Sequence, residues 1–189
     1  MGVFEYVSVL TSIIVGLGIA HLLKGVATIV QHPGRARVYW VHLLWVAFMF
    51  FQAIFFWWWE FKLVSLEQWT FHIYLFVLFY AFIIYMLCAL LFPQDLEGYS
   101  GYQDYFMSRR AWFLGLLAIF FLVDFWDTWL KGTEYFASLG MEYLITQGLM
   151  IAGCLVGIAT ANRRFHAGFA LIILIYQVLW AFRNYDTMG

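Results

Sequence analysis

Charge is the scarcest property of this chain. Of its 189 residues only 11% are Asp, Glu, Lys or Arg, where a soluble domain carries about a quarter. The net charge is −1 with no basic patch, which excludes the electrostatic footprint of a nucleic-acid-binding protein. Cysteine is nearly absent too. Cys88 and Cys154 both lie inside apolar runs with no CxxC spacing, so a disulfide framework and a cysteine metal site are both excluded. No HExxH, GxSxG, Walker loop or GxGxxG in a strand-turn-helix setting occurs. The polar connections are too short to hold a catalytic domain, and the expectation is against an enzyme.

What the chain has instead is apolar length. Hydrophobic residues make up 65% and the mean hydropathy is +0.83. A soluble protein of this size could not bury that much apolar surface. The runs last roughly 20 residues, the length of a helix crossing a bilayer, and lack the strict alternation of barrel strands. The expected fold is therefore all-α: one polytopic transmembrane helical bundle over residues 1–189, with spans at about 4–30, 38–61, 69–92, 111–130, 139–161 and 165–182. The tract His32-Pro33-Gly34-Arg35 ends the first span and Pro93 ends the third. The first run follows Glu5 rather than basic residues and is too long for a signal-peptide core, so it is expected to be retained as a span.

Orientation is expected from basic-residue asymmetry. With both termini outside, the inner set is Lys24, Arg35, Arg37, Arg109, Arg110, Arg163 and Arg164, against Lys62, Lys131 and Arg183 outside. Seven against three favours that arrangement, with the loop 94–110 in the cytoplasm. The opening tract, Phe4 through Lys24, resembles the start of small bacterial membrane proteins. That likeness points to a bacterial inner membrane and brings no activity with it.

An ionisable group at membrane depth is costly, and normally faces protein or water. Here such groups sort into two layers. The outer one holds Glu5, Glu60, His72, Asp124, Asp127 and Glu142, expected as an ion or proton site, since close acids raise one another's pKa. Asp124, Asp127 and Lys131 share one helix face. Gln52, Gln147 and Gln177 fall within spans and suit either interhelical bonding or a polar pathway. The inner layer holds His21, Lys24 and His42; the two histidines would suit a haem or quinone. Two stripes, Glu5-Ser8-Ser12-Gly16 and Gly153-Gly157-Ala161, look like packing faces. The resulting expectation is an oligomeric channel or transporter for a cation or proton. The alternative is a non-catalytic or haem- or quinone-holding subunit of a larger membrane complex.

Overall fold

The computed structural model describes residues 3–66 and 68–184. Among them every regular element is a helix: α1 (Val3–Gln31), α2 (Trp40–Glu60) continued by a 3₁₀ turn (Phe61–Ser65), α3 (Phe71–Leu91), α4 (Tyr102–Leu130), the short α5 (Thr133–Ser138), α6 (Gly140–Ala159) and α7 (Arg163–Asn184). All but α5 are long and apolar enough to cross a membrane, giving six spans. The chain is a polytopic membrane protein, and helices are the form in which a lone segment satisfies its backbone in lipid.

The long helices alternate in direction, and their ends collect at two faces of the bundle. At one face the end of α2 meets the end of α4 through Glu60 and Lys131, and the start of α6 meets the end of α7 through Glu142 and Arg183. At the other, His42 at the start of α2 bonds Leu91 at the end of α3, and Arg110 on α4 bonds Thr160 after α6. Between them lies a core rich in aromatic rings, with Trp45, Phe56, Tyr80, Phe113 and Phe120 all essentially inaccessible. The outward faces are apolar as well: Tyr6, Val9, Ile13 and Leu17 project from α1, as lipid-facing positions should.

Two boundaries differ from the sequence reading. Helix α4 starts at Tyr102, nine residues before the expected 111. Its first turns carry Gln103, Asp104, Ser108 and the paired arginines, which read as loop, yet Tyr102, Tyr105, Phe106 and Phe113 are buried at helical spacing. The turn before it needs a glycine. Gly101 has φ +149°, and a Cβ there would stand 2.9 Å from the Arg37 carbonyl oxygen. The second difference is α5, which replaces an expected plain loop.

The two small-residue stripes part company. On α6 a Cβ at Gly153 would strike Phe169 of α7, and one at Gly157 would strike Leu114 of α4, so this stripe packs within the chain. On α1, Ser12 and Gly16 are exposed. The face turned to α3 carries Gly18 and Gly25 instead, against Cys88 and Phe92.

Candidate functional site

Asp124, Asp127, Thr128 and Lys131 recur at three- and four-residue spacing, so they form one stripe along the last turns of α4. That stripe faces the bundle interior. The Lys131 ammonium sits 2.9 Å from the Glu60 carboxylate of α2 and also pairs with Asp127 one turn back. All three side chains are shielded: Lys131 is 2% exposed, Glu60 and Asp127 no more. One oxygen on each of the two acids, Glu60 Oε2 and Asp127 Oδ1, has no donor from a third residue, and the two carboxyl groups lie within hydrogen-bond reach of each other. Burial alone would push the lysine pKa down. The Glu60 and Asp127 carboxylates outweigh it and hold the group above the ordinary lysine value, so it is charged at neutral pH.

One turn deeper, Asp124 is held by three donors from two other helices. Tyr80 of α3 donates to Oδ1 at 2.9 Å, and Tyr143 of α6 donates to Oδ2 at 2.9 Å. Gln147 of α6 donates its amide to Oδ2 as well. The Thr128 and Tyr143 hydroxyls lie 2.9 Å apart. A phenol has one proton. With that proton committed to Asp124, Thr128 must donate to Tyr143, and the two hydroxyls form a directed chain onto the carboxylate. In all, three carboxyl groups meet one ammonium, a surplus of acid over base inside a membrane protein.

Beside Asp124 lies a cavity of about 100 Å³. Its polar lining includes Gln52, Thr128, Gln147 and Gln177, and its walls include Phe48, Phe120 and Trp59. Gln177 donates to the Gln52 carbonyl oxygen at 2.5 Å, which ties α7 to α2. The three glutamines expected along a polar pathway thus share one cavity with Asp124. Tyr135 and Leu139, in and just after α5, also line it. That segment is bounded by Gly132 at φ +119° and Gly140 at φ +66°, two bends in the region that favours glycine.

Compared with family models, curated proteins and solved structures, the chain matches none. Geometry therefore has to separate the remaining candidates. Glu142 is not in the buried cluster: it pairs with Arg183 at 2.6 Å, both side chains about half exposed (54% and 55%). His72 and Glu5 are exposed in the first turns of α3 and α1. Among the described residues no three His, Cys, Asp or Glu side chains converge so as to hold a metal ion.

The histidines of the opposite face have a structural task. Helix α3 ends before Pro93, leaving its last carbonyls without intrahelical donors. Three side chains take them in succession. Tyr105 donates to Leu90 O at 2.8 Å, His42 Nε2 bonds Leu91 O at 2.6 Å, and His21 Nε2 bonds Phe92 O at 2.9 Å. These bonds require the proton on Nε2 of each imidazole. The Phe92 ring stands against both, at 5.0 Å from His42 and 6.5 Å from His21. A further histidine, His166, is buried and bonds the Thr160 carbonyl, with which α6 ends, at 3.0 Å. It went unnoticed in the sequence beside Arg163 and Arg164. Tyr80 and Tyr143 went unnoticed too: nothing in a tyrosine's position reveals a carboxylate partner 44 or 19 residues away.

Proposed function

We propose that this membrane protein is a transporter or channel, not an enzyme, that moves protons or a small cation, with Asp124, Asp127 and Glu60 as its exchange groups. The observation that carries the reading is the surplus of acid: three carboxyl groups against one ammonium, all facing the bundle interior. A purely structural ion pair in lipid would be expected to match charge for charge. A surplus suits groups that load and unload a positive charge. Asp124 is the central member, since it touches both the hydroxyl chain and the cavity. Among the described residues no set of metal-binding side chains converges, which favours a proton, or a cation held by few ligands, over a transition metal. Six helices of this length leave little room for a central passage, which supports an oligomer. The basic-residue asymmetry supports placing the acidic cluster in the outer half of a bacterial inner membrane, both termini outside.

The test is flux. In proteoliposomes carrying an internal pH dye and an imposed potential, Asp124→Asn is expected to slow proton entry at least about tenfold. The removed group is the one whose charge would change in the cycle. The variant should elute like wild type on size exclusion, because its amide oxygen can still accept from Tyr143 and Gln147 while its NH2 donates to the Tyr80 hydroxyl. Undiminished flux from an assembled Asp124→Asn protein would remove Asp124 from the mechanism.

A further inference from the structure

We propose that the groove between α6 and α7 holds an acyl chain of an anionic phospholipid, with Arg164 on its headgroup. The inference is independent of the transport reading. The two helices are joined only by Thr160-Ala161-Asn162, yet they pack little on one another. Between them runs a groove of about 530 Å³, within the range of about 300–1,000 Å³ for clefts that hold ligands. Its walls include Leu149, Gly153, Phe165, Phe169 and Ile172, and the Phe165 and Phe169 rings are stacked at 5.8 Å. Along α7 the groove extends from Arg164 to Tyr176, about 18 Å at 1.5 Å of rise per residue. That is close to the depth of one leaflet, half of a hydrocarbon core about 30 Å thick.

The polar side chains of the groove sit at its two ends. At the deep end Thr146 donates to the Glu142 carbonyl at 2.7 Å and Tyr176 to the Glu142 carboxylate at 3.4 Å, so both hydroxyl protons are spent. At the other end the Arg164 side chain is exposed and has no hydrogen bond or ion pair among the described residues. The arginines beside it are committed: Arg163 donates to the Gln103 amide oxygen at 2.8 Å and Arg110 to the Thr160 carbonyl at 3.2 Å. No Asp or Glu occurs from Tyr143 to Phe182, and the positive end of the α7 dipole adds to the charge. A cation at the membrane edge above an apolar, leaflet-deep groove complements an acidic headgroup and its chain. A second copy of the chain complements it poorly. Copies side by side in one membrane share an orientation, so a two-fold axis through the groove sets Arg164 against Arg164, and such like-charge contacts are repulsive.

The experiment is native mass spectrometry of the full chain released from detergent micelles, with dioleoyl phosphatidylglycerol or dioleoyl phosphatidylcholine added in equal amounts. The acyl chains are identical and the headgroup charge differs. A single saturable lipid per protein chain is expected, with phosphatidylglycerol favoured about fivefold, the effect of one basic residue on an anionic lipid. Arg164→Gln should erase that preference. Arg35→Gln, at an exposed arginine before α2 and outside the groove, should keep it. Gly168 lines the groove, and a Cβ there meets open space, so Gly168→Leu should fill the groove without a clash and remove the saturable lipid of either kind. Equal binding of the two lipids, graded uptake of many lipids with no saturable first one, or an Arg164→Gln protein that keeps the preference overturns the proposal. So does loss of the preference in Arg35→Gln, or an assembled Gly168→Leu protein that keeps its lipid. A dimer that Gly168→Leu breaks would give the groove to a second copy and likewise overturn it. If Gly168→Leu fails to assemble, the two arginine variants decide alone.

Discussion

Replacing Lys131 with methionine isolates the buried charge cluster. The side chain keeps its length and apolar stem and loses its ammonium. Two carboxylates, each almost fully shielded, then face one another without a counter-charge. Breaking a buried pair by deleting one partner costs about 3–5 kcal/mol, because the orphaned charge stays desolvated. The lowest part of that range is expected if Asp127 or Glu60 takes up a proton to compensate. Stability would be read from reversible unfolding in mixed micelles, followed by tryptophan fluorescence. The control is the triple variant Lys131→Met, Glu60→Gln, Asp127→Asn, which removes cation and anions together and should recover most of the loss, since an uncharged replacement of an ion cluster is often neutral. The lysine itself adds no pH dependence near neutrality. Its folded pKa is raised by Glu60 and Asp127 against the effect of burial, so its stabilisation is fully present below about pH 10.4 and lost only as pH climbs through the folded value. A loss below about 1 kcal/mol for Lys131→Met, the scale of an exposed pair, with no recovery in the triple variant, would show that water reaches the cluster and would refute the desolvation reasoning.

Packing between α1 and α3 gives a sharp contrast. A Cβ at Gly25 would lie 2.3 Å from the Phe92 ring, itself pinned by His42 and Tyr102, so Gly25→Ala should cost about 1–3 kcal/mol by overpacking. Gly16→Ala, which meets open space, should not reduce stability in the same unfolding assay; equal losses would contradict the helix pairing. Orientation is checked by a single cysteine at Gly98, in the turn before α4, with Cys88 and Cys154 replaced by alanine. Labelling by an impermeant maleimide is expected only after cells are opened, and labelling of intact cells would invert the assignment of both faces.

The six spans were legible because run length needs no tertiary knowledge: a chain with so little charge has few places to leave the membrane. Helix α5 was missed because six residues between two glycines are too few for a periodic pattern. The start of α4 was missed because Arg109 and Arg110 end the apolar run in the sequence, while the helix continues through them to Tyr102. At the candidate site, the α4 stripe of Asp124, Asp127 and Lys131 was visible from spacing alone, as was the depth of Asp124. Its partners Tyr80, Tyr143 and Glu60 were not, since each arrives on another helix and pairing across a bundle leaves no local trace.

The histidines were visible as residues but not as caps, because their role depends on where α3 ends. Once those ends are placed, one physical rule explains both faces: without water, every polar group must find a partner in the protein. At the face holding His21 and His42 three terminal carbonyls of α3 are taken by three side-chain donors, although the Tyr39 hydroxyl, His42 Nδ1 and His166 Nδ1 stay buried without a partner. At the face holding Lys131 the shortfall is larger. Two carboxylate oxygens and two amide oxygens are left over on Glu60, Asp127, Gln147 and Gln177, beside a cavity that the last two and Asp124 line. All four are acceptors. The Trp59 indole N–H on the same cavity is an orphaned donor beside them, so acceptors outnumber donors there without standing alone, and an excess of acceptors suits a site that holds a proton.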